Sequence, residues 1–171
     1  MKQHNWYSTF LLIFVCLLFF SYQNHFDNPF FLEDENTIVN NNSIRNSTGI
    51  SAYFLNPKSH NINPDHISYQ PGLTTLNSYD IHWGGEDFPF AKQFHKTNFI
   101  LYVFLAILLY AFFLEIFIIA HPHKWNSMFV IFATAFFCLH TTQAETLNYI
   151  SSRGNMIATI MIILGFIFYM Y

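Results

Sequence analysis

Residues 98–120 read NFILYVFLAILLYAFFLEIFIIA, an apolar run interrupted by a single charge, Glu115. About 20 predominantly apolar residues are enough for a helix to cross the hydrocarbon core of a bilayer, so this run predicts a transmembrane helix. Its ends are marked by Lys92 and Lys96 on one side and by His121-Pro122-His123-Lys124-Trp125 on the other. Upstream, Trp6 to Tyr22 contains the unbroken apolar run Phe10 to Phe20. A run of this length fits either a short span or the core of a secretory signal. No small-x-small cleavage pattern follows at Ser21-Tyr22-Gln23-Asn24, which favours a retained helix.

Downstream, Met128 to Tyr149 begins apolar and turns polar through His140-Thr141-Thr142-Gln143-Ala144-Glu145. A helix of that composition needs protein, water or the interface against its polar half. The last segment, Asn155 to Tyr171, is apolar throughout and ends Phe168-Tyr169-Met170-Tyr171, an aromatic anchor. The expected fold is an all-α membrane protein with about four transmembrane helices, at 1–22, 98–120, 128–149 and 155–171. A long irregular polar loop, 23–97, separates the first from the second.

The composition agrees with a membrane chain. Of 171 residues 53% are hydrophobic, 20% aromatic and 10% charged, against roughly a quarter charged in soluble domains. Seven Lys+Arg against ten Asp+Glu give a net charge of −3, which removes the broad basic surface that nucleic acid requires. The two cysteines, Cys16 and Cys138, both lie in apolar stretches, so neither a disulfide framework nor a CxxC metal or redox site is expected.

The loop is rich in Asn, Ser and Pro. Asn40-Asn41-Asn42, Asn56-Pro57, Asn63-Pro64 and Pro71-Gly72 read as turns and extended chain. With few periodic apolar positions it is expected to lack a core of its own and to be ordered by neighbouring subunits. Asn41-Asn42-Ser43 and Asn46-Ser47-Thr48 match the glycosylation pattern, which matters only on a secretory reading. Three basic residues, Lys92, Lys96 and Arg153, on one side of the spans against two, Lys2 and Lys124, on the other decide little by themselves; if the positive-inside bias holds, the loop faces the matrix or cytoplasm.

Glu115 is the first candidate for chemistry. An ionisable group within a span is costly, and desolvation raises a carboxyl pKa, which suits either a proton carrier in a hydrated path or a partner for a polar group on another helix. The bland reading is a carboxyl near enough to the interface to be hydrated. Glu145, in the polar half of the third segment, is the weaker candidate, with a structural role the stronger reading. His140 paired with His95, His121 or His123 would supply the two nitrogens of a bis-histidine haem, but a lone membrane histidine is more often hydrogen-bonded to backbone. No metal-binding spacing is present, and none of the histidines has the register of a zinc motif. Trp83-Gly84-Gly85-Glu86-Asp87 makes a tight turn without the lysine of a phosphate loop, and no hydrolase signature occurs.

Read in order, Tyr79-Asp80, Phe88-Pro89, Ala91-Lys92, Phe94, the span from Phe99, Leu114-Glu115-Ile116, and Pro122 with Trp125 resemble one family. It is chain 3 of respiratory NADH:ubiquinone oxidoreductase, complex I, and the resemblance covers Tyr79 to Glu145. Ile81 and His82 stand where the family often carries a cysteine, Phe113 stands where many members place an Asp, and the loop and fourth helix are additions. The resemblance implies an organelle-encoded, multi-pass core subunit of the mitochondrial inner membrane, at the junction of the quinone-reducing and proton-pumping arms. Glu115 would be a proton-relay carboxylate, with Glu145 a weaker candidate, and Tyr79, Asp80 and Pro89 would belong to a loop on the quinone side. The chain itself would bind no cofactor. NADH, FMN, iron–sulfur clusters and ubiquinone would belong to the assembled complex, whose other membrane subunits, with lipids, would be the partners. The alternative is a structural accessory subunit of a mitochondrial respiratory complex or of ATP synthase.

Overall fold

A computed structural model describes residues 4–45, 49–63, 65, 68–84 and 91–170, with side chains from Thr9 onward. Among the described residues every regular element is helical. The helices are α1 (His4–Tyr22), α2 (Asn42–Arg45), α3 (Ile50–Leu55), α4 (Pro71–Gly84), α5 (Ala91–Ala120), α6 (Asn126–Leu139), α7 (Gln143–Asn148) and α8 (Arg153–Met170). Short 3-10 turns follow α1 at Gln23–Asp27 and precede α8 at Ile150–Ser152, and a π-helical turn occupies Glu35–Val39.

Three helical stretches are long and apolar enough to cross a membrane: Thr9–Asp27, Ala91–Ala120 and Ile150–Met170. This is a multi-pass membrane protein. The expected third span departs from this pattern. At 1.5 Å per residue the 14-residue α6 covers about 21 Å, short of the ~30 Å hydrocarbon core. It stops because His140 takes an extended conformation, φ −66° and ψ 138°. The imidazole Nδ1 of His140 then accepts from the Thr142 hydroxyl at 2.8 Å and from the Thr142 amide at 3.3 Å. The polar run read as the wet half of one helix is therefore a turn followed by the separate short helix α7.

The chain divides into two units. The first comprises residues 1–24, 100–145 and 155–171. Within it the Tyr22 and Tyr102 hydroxyls both donate to the Cys138 carbonyl, at 2.8 and 2.7 Å, and their rings meet edge to face at 5.8 Å. Two phenols thus satisfy a carbonyl of the last turn of α6, which has no partner inside its own helix. Leu18, Ala106, Leu105 and Val130 are buried here, while Phe20, Ile119, Phe136 and Phe168 are exposed, as expected of side chains that face lipid or other subunits.

The second unit comprises residues 25–99 and 146–154, and it corrects the reading of an irregular loop without a core. Ile38 and Ile44 from that segment bury against Phe94 and Ile150, with Phe30 and Ile81 packed around them. Three of the four central residues, Ile38, Ile44 and Phe94, thus lie within 23–97, and only Ile150, from the segment before α8, lies outside it. Polar side chains close the rest. Asn41 Nδ2 donates to the carbonyls of Thr37, Ser59 and His60, while its Oδ1 accepts from the Ser43 amide. Asn41 is fully buried, so the first glycosylation match is a structural hub, and Asn46 lies outside the described residues.

Helix α4 begins at Pro71, where a missing N–H costs nothing. Pro71 therefore starts a helix in place of the expected turn. Its buried residues are Leu73, Thr74, Asn77, Ser78 and Asp80, a helical stripe made mostly of polar groups. Ser78 Oγ donates to the Ile44 carbonyl at 3.1 Å and receives the Tyr53 hydroxyl at 3.0 Å, which fastens α2 and α3 to α4.

Candidate functional site

The polar stripe of α4 leads to a buried, four-fold hydrogen-bonded side chain of the second unit, Arg153. It begins α8 and is wholly buried. Its Nε donates to Asn98 Oδ1 at 2.6 Å, Nη1 to Asp80 Oδ2 at 2.6 Å and to Asn77 Oδ1 at 3.1 Å, and Nη2 to the Phe94 carbonyl at 2.8 Å. The guanidinium also lies 5.4 Å from the centroid of the Phe94 ring, within range of a cation–π contact. One buried cation thus ties together α4, the first turns of α5 and the start of α8.

Asp80 is buried as its counter-ion and takes a second donor, the Thr97 hydroxyl, on its other oxygen. Burial raises the pKa of this carboxyl, and the Arg153 charge and the Thr97 hydrogen bond offset only part of that rise. The ion-paired form is the one the surroundings are built for, because both oxygens meet donors. Asn98 extends the network, its Nδ2 reaching the Leu147 carbonyl at 3.4 Å.

A second carboxylate braces the same segment. Asp34 is buried; its Oδ1 accepts from the Ser151 amide at 2.9 Å and the Ser151 hydroxyl at 2.6 Å, and its Oδ2 from the Phe31 amide at 3.0 Å. An acid bonded to amides just before a helix satisfies orphan donors and complements the helix dipole. The chemistry of this cluster is that of a clamp. Its oxygens and guanidinium nitrogens are occupied by one another, and no open position faces a substrate.

Among the residues expected to carry function, Asp80 is therefore a partner of Arg153. Tyr79, its neighbour in the same unit, is turned outward and exposed. Pro89 lies outside the described residues. Glu115 and Glu145 belong to the first unit, Glu115 half-buried on α5 and Glu145 exposed in the first turn of α7. His140 is engaged with Thr142 as described, and His121 stacks on His123 with centroids 6.3 Å apart. His95 belongs to the second unit and packs on His25, so the haem pairings considered for His140 leave no trace in these contacts.

The sequence reading missed Arg153, Asn77, Thr97, Asn98 and Asp34 as a cluster. One signal was available: an arginine at the head of an apolar helix, in Ser151-Ser152-Arg153-Gly154-Asn155, has to be paired if it is buried. Its partners come from three separate stretches of chain, which no local pattern joins.

The first unit holds a groove of about 430 Å³ between α1, α5 and α6, lined by Phe14, Leu18, Ala106, Tyr110, Ser127 and Thr134 among others. No family model matches the chain, and neither a curated protein nor a solved structure matches it.

Proposed function

We propose that the chain is a multi-pass core subunit of respiratory complex I in the mitochondrial inner membrane, at the junction of its quinone-reducing and proton-pumping arms. On this reading Glu115 is a proton-relay carboxylate, and electron transfer belongs to partner subunits. The observation that carries it is the ordered run from Phe94 through Leu114-Glu115-Ile116 to Pro122 and Trp125, which resembles chain 3 of that complex. In support, the run from Phe94 to Ile116 lies on one continuous apolar helix, α5, and Pro122 and Trp125 follow in the turn after it. Asp80 then has a more specific part than a contact on the quinone side. Paired with Arg153, it holds the matrix-side unit in shape.

The engagement of Asp80 also favours a second reading, a structural accessory subunit of a respiratory complex or of ATP synthase. Here the clamp serves assembly alone. Glu115→Gln separates the two. A relay loses NADH:ubiquinone turnover, by about a hundredfold or more for a positioned proton-transfer group, while the complex still assembles. An accessory helix loses assembly or nothing.

A further inference from the structure

The turn that joins α5 to α6, His121-Pro122-His123-Lys124-Trp125, gathers three nitrogen-bearing side chains where the apolar run of α5 ends. Hydrogen bonds fix its shape. The His121 amide donates to the Phe117 carbonyl at 3.0 Å, Asn126 Nδ2 to the His121 carbonyl at 3.0 Å, and the Asn126 amide to the His123 carbonyl at 3.1 Å. The Trp125 amide donates to Nδ1 of His123 at 3.3 Å, so the proton of that neutral ring sits on Nε2, which remains a donor. His121 stacks on His123 with planes at 10°, and Lys124 Nζ lies 5.8 Å from the centroid of the Trp125 ring. All four side chains are exposed.

Beside this turn lies a pocket of about 490 Å³ with two kinds of lining. His121, His123 and Asn126 supply its polar end, while Ile116, Phe117 and Phe129 supply apolar walls from α5 and α6. Ile116 stands five residues before His121, about 8 Å along the helix axis. Trp125 and the end of the apolar run put the turn at headgroup level, so the walls reach into the level of acyl chains. No acidic residue occurs between Glu115 and Glu145. Ile116 and Phe117 set the pocket face of α5, and at about 3.6 residues per turn Glu115 falls to one side of it.

The lining selects an amphiphile with a negative head. Free phosphate would meet the donors and leave the apolar walls bare, and a hydrocarbon chain alone would leave the donors unused. A zwitterionic head brings an ammonium group for which the turn holds no carboxylate, and Lys124 already lies against the Trp125 ring that would otherwise receive it. Basic pockets beside membrane helices are suited to anionic lipid heads for these reasons.

We propose that the α5–α6 turn and its pocket form a binding site for one anionic phospholipid, with the phosphate on Lys124 and His123 Nε2 and an acyl chain against Ile116, Phe117 and Phe129. The site is independent of the complex I reading, since it rests only on the turn and the pocket. The test is native mass spectrometry of the delipidated full chain with phosphatidylglycerol or phosphatidylcholine of matched acyl chains, with inorganic phosphate as competitor. The expected result is one phosphatidylglycerol held about fivefold or more better than phosphatidylcholine, the factor that one basic side chain near an anionic surface contributes. That preference persists in Lys96→Gln, which removes a cation near the other end of α5, and disappears when His123→Gln and Lys124→Gln are combined. Equal retention of the two lipids overturns the proposal. So does a preference that survives the double change or is lost in Lys96→Gln, and so does displacement of the lipid by equimolar inorganic phosphate, which would make the site one for a free anion. The comparison of the two lipids uses wild type alone, so a variant that fails to fold does not remove the test.

Discussion

Arg153 stands at the N-terminus of α8, where the helix dipole is unfavourable to a cation, so its burial there depends on Asp80 more than burial elsewhere would. Removing one member of a buried ion pair typically costs about 3–5 kcal/mol, because the survivor is left uncompensated. The two survivors differ in chemistry. A guanidinium cannot shed its proton in the physiological range, whereas a carboxylate can take one up. Asp80→Asn is therefore expected to lower unfolding stability by about 3–5 kcal/mol near neutral pH, where the carboxylate would otherwise pair with the guanidinium. In Arg153→Met, burial raises the Asp80 pKa without the opposing guanidinium. A folded-state pKa above the unfolded value gives stability that is fully present below the unfolded pKa and is lost as pH rises through the folded one. Thermal unfolding in detergent should accordingly show Arg153→Met losing stability with rising pH more steeply than wild type. A pH-independent loss would contradict the assigned pair.

His60 gives a prediction of opposite sign. It is buried, its Nδ1 is 3.2 Å from the Thr74 hydroxyl, and burial lowers its pKa despite the attraction of Glu33. The unfolded chain then binds the proton more readily, so the stability His60 contributes is lost as pH falls below the ordinary histidine value of about 6.5. Comparing His60→Gln with wild type across that range should show a shallower acid-side decline in the variant. Equal slopes would mean that the ring is hydrated.

At the scale of elements, the end of α6 is set by two phenols on one carbonyl. Either Tyr22→Phe or Tyr102→Phe leaves the Cys138 carbonyl one donor, so each single change is expected to cost about 0.5–1.5 kcal/mol. The double change leaves the carbonyl bare and should exceed the sum of the singles, which a double-mutant cycle reads directly. Additive costs would show that the two bonds are independent.

The elements also show what could be read in advance. Most of α1, most of α5 and nearly all of α8 follow from apolar runs, because hydropathy alone dictates a bilayer helix. Helix α4 escaped because the face it buries is Thr74, Asn77, Ser78 and Asp80, with Leu73 the apolar member. A stripe that is buried by pairing with Arg153 and Tyr53 leaves no hydrophobic periodicity to detect. The first turns of α5, before Asn98, were hidden likewise: Phe94, His95 and Asn98 are fully buried but alternate with Lys92 and Lys96. Glu115 was legible as the one charge in an apolar run, and Asp80 was singled out by the family resemblance alone. The partner of Asp80 was not, because Arg153 lies far along the chain and reads locally as a charge at a span end.

At the scale of the molecule, three span-length helices and the shorter α6 expose apolar faces, and the second unit exposes Leu32, Leu55 and Trp83 as well. Large exposed apolar side chains outside lipid mark contact surfaces, which accords with a chain that works inside an assembly. The proposal that this assembly is complex I is tested most directly by mild detergent extraction, native gel separation, an in-gel NADH dehydrogenase stain and mass spectrometry of the band holding this chain. The account predicts that the chain co-migrates with the NADH-active band of the whole complex. Migration with ATP synthase, with another oxidase, or alone would contradict it.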